Sequence, residues 1–126
     1  MAILQGCSPG FWRSNLDDWT PTNKTPDDTI FETFEVQEDD IPFTPSDATL
    51  IQGLQVGLAN PILPIAWRGF VRQAVAAILN AQHPEVNYPL TEAQVRQRFQ
   101  DVIDGTRERE EVEEEFAAFN DLGCPL

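Results

Sequence analysis

Between Ile65 and Gln82 apolar residues recur at three- and four-residue spacing, namely Trp67, Phe70, Val71, Ala74, Val75, Ile78 and Leu79. Arg68, Arg72 and Gln73 mark only a narrow polar side. A helix that is apolar round most of its circumference cannot lie on a surface, because it needs neighbours on most sides. This segment therefore predicts a helix over 65–82 at the centre of an all-α fold. His83-Pro84 ends it, since the residue before a proline is turned away from the helical region. His83 itself reads as a C-terminal cap or an exposed residue.

The surrounding helices are marked by their boundaries. Thr91-Glu92-Ala93-Gln94 is a capping box, with Leu90 and Val95 as its hydrophobic staple. That helix runs through Phe99, Val102 and Ile103 to Gly105, a C′ glycine. A last helix spans about Arg107 to Leu122 with Val112, Phe116 and Phe119 on one face, and Gly123 stops it. Its Glu110, Glu111, Glu113, Glu114 and Glu115 read as a solvated face. Upstream, Thr44-Pro45-Ser46-Asp47 reads as a helix start, with Leu50, Ile51 and Leu54 facing inward as far as about Gly57. Pro61 and Pro64 then break the chain. The expectation is about four helices packed round 65–82, forming a helical core over residues 44–126.

Residues 1–43 show no sustained period and read as a long, ordered but irregular arm. Pro9, Pro21, Pro26 and Pro42 punctuate it, with the acidic pairs Asp17/Asp18, Asp27/Asp28 and Asp39/Asp40 between them. Phe11, Trp12, Trp19, Phe31 and Phe34 lie in this arm. So many aromatics have to pack against something, either the domain's own core or a neighbouring subunit. These five are the candidate interface or binding residues. With 126 residues the chain fits a single domain over 1–126. A chain of that size buries roughly two thirds of its unfolded surface.

Charge narrows the partners. The chain has 21 acidic residues against 8 basic ones, a net charge of −13. Such a surface repels phosphate backbones and anionic lipid heads, so neither nucleic acid nor membrane is an expected partner. No apolar run reaches the roughly 20 residues that span a bilayer. Met-Ala-Ile-Leu-Gln-Gly lacks a basic n-region, so a signal peptide is not expected there.

Cys7 and Cys124 lie near opposite ends of the sequence. They can be a disulfide, two buried thiols, or part of a metal or redox site. Two cysteines and the single His83 do not complete a zinc site, and the spacing is not that of a redox pair. The disulfide is the expected reading. In the chain-entropy model, closing so long a loop stabilises by about 5 kcal/mol, which matters where thiols are oxidised.

Motifs for chemistry are missing. No GxSxG elbow, P-loop, GxGxxG or HExxH occurs. A Cys7–His83 nucleophile pair requires a free thiol. The adjacent acidic pairs lack the alternating spacing of a calcium loop, and no two carboxylates stand out as glycosidase partners. No catalytic residue, metal ligand or cofactor is expected. Asn23-Lys24-Thr25 is a glycosylation sequon by pattern, and Phe11, Trp12 and Trp19 are capable of stacking on sugars.

Cys7-Ser8-Pro9-Gly10-Phe11-Trp12-Arg13 resembles the Cys-Thr-Pro-Gly-Tyr-Trp-Lys signature of a family of bacterial secreted and cell-surface domains. Three further stretches agree in order: Ile30-Phe31-Glu32-Thr33-Phe34, Arg72 to Asn80 leading to Val86-Asn87-Tyr88-Pro89, and Gly123-Cys124-Pro125-Leu126. The resemblance implies an extracellular, disulfide-closed domain of a family with no established catalytic activity. The family's Asn-His after the basic residue is Ser14-Asn15 here, so no role for that histidine carries over. The family's customary leader is also absent from this sequence. The leading expectation is a structural protein of an extracellular particle, such as a phage capsid decoration or cement protein, with itself or the shell as partner. A secreted glycan-binding module is second, and a small carboxylate hydrolase third.

Overall fold

The computed structural model describes residues 3–42, 47–54 and 65–126. Six α-helices occur among them: α1 (Pro9–Ser14), α2 (Ile30–Thr33), α3 (Leu50–Leu54), α4 (Ile65–Gln82), α5 (Glu92–Ile103) and α6 (Arg109–Asn120). Two 3₁₀ segments, Leu16–Thr22 and Glu38–Asp40, complete the helical content. The all-α expectation holds.

The central helix is α4. Every residue from Ala74 to Asn80 is buried, so the helix is enclosed on all sides there. It touches α1, α3, α5, α6 and the 3₁₀ segment Leu16–Thr22. Against α3 the approach is close: a Cβ on Gly53 would stand 2.9 Å from Val71 Cγ1. An aromatic ladder crosses the layers. Phe34 stacks on Phe99 at 4.0 Å, Phe99 on Phe70 at 5.3 Å, and Phe70 on Phe116 at 6.4 Å. One rung each comes from the arm, α5, α4 and α6, so a single core joins all four.

Caps set where helices begin. The Thr91 capping box forms as expected: Gln94 N–H donates to Thr91 Oγ1 at 3.2 Å, and Thr91 N–H donates to Gln94 Oε1 at 2.9 Å. Gly105 follows α5 with φ +86, which an L side chain resists. The first helix of the expected core starts later than its sequence signal. Thr44–Ser46 and 55–57 lie outside the described residues, and Asp47 is in a turn. The reciprocal pair is Thr49 with Gln52, at 2.9 and 3.3 Å, one turn downstream.

The arm is more regular than its sequence suggests. Ser8 Oγ accepts Phe11 N–H at 3.3 Å with Pro9 in the first turn, which starts α1. Thr29 caps α2 by accepting Glu32 N–H at 3.4 Å. Helices this short cannot display a period, which is why the sequence hides them. Ile30 N–H to Ala48 O (2.9 Å) and Leu50 N–H to Asp28 O (2.8 Å) tie the arm to α3. Gln100 Nε2, donating to Phe34 O at 3.0 Å, ties it to α5.

His83 takes the C-cap position after α4, its N–H donating to Leu79 O at 3.0 Å, but it is not exposed. It is 3% exposed, its ring lies 6.0 Å from Trp12, and its Nδ1 accepts Glu85 N–H at 3.1 Å.

Candidate functional site

The residues with the most specific geometry are gathered where the two ends of the sequence meet. Residues 3–7 run extended between two partners. On one side Gln5 N–H donates to Asn87 O at 2.8 Å, and Asn87 N–H donates to Gln5 Oε1 at 3.0 Å. On the other, Gly6 N–H donates to Gly123 O at 3.0 Å in an antiparallel bridge. The backbone of α6 presses on the same segment: a Cβ on Gly6 would fall 2.0 Å from Phe119 O. Only glycine fits at position 6.

Cys7 and Cys124 form a disulfide across a sequence separation of 117, with Cα atoms 4.4 Å apart. Its two halves differ. Cys7 is fully buried, whereas Cys124 and the rest of 121–126 are exposed. A shallow hollow of about 170 Å³ beside the bridge is lined by Gly6, Ser8, Asn120, Asp121, Gly123 and Cys124, and not by Cys7. Among the described residues, Gly6 N–H to Gly123 O is the only hydrogen bond on 123–126. One such bond contributes about 1 kcal/mol. Ordering a backbone residue costs about 1–2 kcal/mol. The disulfide is therefore the main hold on this segment, with partial cover of Leu126 added to it.

Behind Cys7 lies a buried network of side-chain amides. Asn80 Oδ1 accepts Cys7 N–H at 2.8 Å and the Trp12 indole N–H at 3.2 Å. Its Nδ2 donates to Cys7 O at 2.8 Å and to Asn120 Oδ1 at 2.9 Å. Asn120 Oδ1 also accepts the Tyr88 hydroxyl at 2.7 Å, and its Nδ2 donates to Gln73 O at 3.1 Å and Gln73 Oε1 at 2.9 Å. Each amide makes four hydrogen bonds, which is the condition under which buried polar groups rigidify a core rather than weaken it. Burial raises the Tyr88 hydroxyl well above its ordinary pKa, and the nearby Glu115 charge adds to this while Arg98 opposes it. Tyr88 therefore stays protonated and donates.

No known protein family, curated protein or solved structure matches this chain.

Three of the five candidate interface residues are inside the core. Trp12, Trp19 and Phe34 are at most 1% exposed, so they offer no contact surface in this chain. Their polar groups are also satisfied internally, with the Trp19 indole N–H on Trp12 O at 2.9 Å. Phe11 and Phe31 are partly buried against the same core. Sequence reasoning took the arm's aromatics as one set, because burial by partners distant in sequence leaves no local mark. It passed over Asn80 and Asn120. A lone amide closing the otherwise apolar run 74–79 was the available signal for Asn80.

Other hollows open elsewhere among the described residues, including two of about 400 and 350 Å³. One of about 400 Å³, between the first turns of α4 and α6, is lined by Ile65, Ala66, Gly69, Arg109, Glu110, Glu113 and Glu114. The Arg109 guanidinium there lies 5.0 Å over the Trp67 ring, a cation–π contact. The other, about 350 Å³, is lined by Leu16, Trp19, Thr20, Asn23, Lys24, Thr25 and Pro26. Among the described residues no group of three or more His, Cys, Asp or Glu is placed to hold a metal ion. None of the described helices is long and apolar enough to cross a membrane.

Proposed function

We propose that this chain is a non-enzymatic structural protein that works outside cells, as an accessory component of an extracellular particle such as a phage capsid decoration or cement protein. The observation that carries this reading is the closure of the chain's two ends. A disulfide, an antiparallel bridge and seven amide hydrogen bonds centred on Asn80 and Asn120 converge within one small region. A domain tied in this way resists fraying and proteolysis, which concentrate at ends that are not held. Disulfides also persist where the surroundings are oxidising. The strongly acidic surface suits a protein partner and opposes phosphate backbones.

The test is quantitative mass spectrometry on gradient-purified particles from the native source, against the soluble supernatant. A fixed high copy number in the particle supports the assignment. Recovery in the supernatant or cell-wall fraction alone removes it.

A secreted cell-surface module that binds glycans is the second reading. The Cys7–Arg13 motif favours it through its resemblance to bacterial surface domains. So does the hollow lined by Leu16, Thr20 and Asn23, in which the exposed Leu16 joins apolar surface to hydroxyl and amide groups as sugar sites do. Sugar-dependent quenching of tryptophan fluorescence that is lost in Leu16→Asp decides in its favour. No quenching across a glycan panel decides against it.

A further inference from the structure

We propose that the Cys7–Cys124 bridge is a redox latch: reduction frees residues 123–126 and leaves the helical fold standing. The two sides of the bridge are held by unequal means. Cys7 keeps its place without the sulfur bond, because Asn80 grips both its N–H and its C=O and its side chain is fully buried. Gln5 and Ser8 add further ties on that side, to Asn87 and to the first turn of α1. On the other side, residues 121–126 are all exposed, and beyond Leu122 a single hydrogen bond from Gly6 remains. One bond cannot offset the entropy of ordering those residues, so the segment detaches once the sulfurs part.

The same asymmetry selects the sulfur that is attacked. Cys124 lines the open hollow beside the bridge and Cys7 does not. A thiolate of a dithiol reductant entering there bonds to Cys124 Sγ and breaks the Sγ–Sγ bond, and Cys7 leaves as a thiolate that takes up a proton. The reductant's second thiol then attacks the mixed disulfide, forms the reductant's own cyclic disulfide and releases Cys124 as a thiol. The protein gains two electrons and the dithiol loses two. Opening the latch presents Leu126 on a free segment and bares the Gly6 N–H, an unpaired edge donor. The closed state belongs to oxidising surroundings, and the open one to a reducing compartment.

Two measurements on the full chain test this. First, the oxidised protein is treated briefly with glutathione, quenched with iodoacetamide and mapped by mass spectrometry. The glutathione adduct is expected on Cys124 at least tenfold over Cys7, and an even or reversed distribution overturns the proposal. Second, amide NMR is recorded before and after dithiothreitol, and on Cys124→Ser without reductant. The Gly6 amide is expected to exchange at least tenfold faster, and the order parameters of Gly123 and Leu126 to fall below about 0.6. The Trp12 indole resonance and the far-UV helical signal are expected to hold. Loss of helix in either sample overturns the latch, and so does a segment that stays rigid.

Discussion

Asn80 holds Cys7 by both polar groups of its main chain, at 2.8 Å to the N–H and 2.8 Å to the C=O. A side-chain amide from the central helix thereby takes the place of a neighbouring strand. The segment it grips is the one that meets α6 and carries the disulfide. The end-to-end closure is thus anchored to α4, the most enclosed element of the fold, and the sulfur bond is added to a segment already in position.

Removing that amide leaves several buried groups without partners at once: Cys7 N–H and C=O, the Trp12 indole and one lone pair of Asn120. Each buried unsatisfied group costs about 1–3 kcal/mol. Asn80→Ala is expected to lower the unfolding free energy by at least about 3 kcal/mol by urea denaturation. Asn80→Asp is expected to cost more, because its second oxygen faces Cys7 O and Asn120 Oδ1 where a donor is required. A loss under about 1 kcal/mol for Asn80→Ala would mean that water satisfies these groups.

Gly6→Ala tests the contact between the extended segment and α6. The added Cβ would stand 2.0 Å from Phe119 O, and that neighbour is backbone at the end of a packed helix. Overpacking of this kind costs about 1–3 kcal/mol. The variant is expected to melt lower and, after reduction, to re-form its disulfide about tenfold more slowly, because Cys7 is pushed away from Cys124. Reoxidation at the wild-type rate would show that the segment shifts without strain.

The two cysteines are expected to respond unequally to substitution although they share one bond. Cys124→Ser loses the cross-link, worth at most about 5 kcal/mol for a loop of this size, and leaves an exposed hydroxyl. Cys7→Ser loses the same cross-link and also buries a hydroxyl at a fully enclosed site, a further cost of about 1–3 kcal/mol. Thermal melts of the two variants, both under reducing conditions, isolate that second cost. Equal melting temperatures would count against the enclosure of Cys7.

The parts of this fold that the sequence discloses are those governed by local rules. Helix α4 shows itself because it is long and apolar all round, and α5 because Thr91, Gln94 and Gly105 mark its ends. The arm's α1 and α2 are too short to show a period, and their Ser8 and Thr29 caps resemble any other Ser or Thr. The amide network is further out of reach: Asn80 meets Cys7 across 73 residues and Asn120 across 40. No spacing rule links residues so far apart, and polar side chains next to apolar runs are ordinarily exposed. The cysteine pair was legible because chemistry, rather than periodicity, restricts what two cysteines do. His83 stands at the C-cap position its place before Pro84 marks, but its burial beside Trp12, 71 residues away in sequence, leaves no local sign.

The aromatic ladder predicts that the arm is part of the cooperative core. Phe99 lies between Phe34 of the arm and Phe70 of α4, at 4.0 and 5.3 Å. Phe99→Ala is expected to cost about 3–5 kcal/mol. Near-UV circular dichroism and tryptophan fluorescence are expected to report one transition at the same denaturant concentration. Two separated transitions would show an arm that unfolds independently of α4–α6.

Tyr88 gives the pH dependence a clear sign. It is the chain's one tyrosine, so tyrosinate absorbance reports it alone. Burial, with Glu115 adding to it, raises its folded pKa above the ordinary value, so the folded chain keeps the proton when the unfolded chain has lost it. Above pH of about 10, where an unfolded tyrosine ionises, the unfolded state binds fewer protons than the folded one. Stability therefore falls with rising pH, and this contribution is constant below that point. Tyrosinate absorbance is expected to appear together with the loss of helical signal, and not before it. Tyr88→Phe removes the hydroxyl that donates to Asn120 at 2.7 Å, so it is expected to be less stable at neutral pH and to lose less stability between pH 9 and 11. A tyrosinate signal rising near pH 10 in a chain that is still fully helical would mean that the hydroxyl reaches water, and would remove Tyr88 from the buried network.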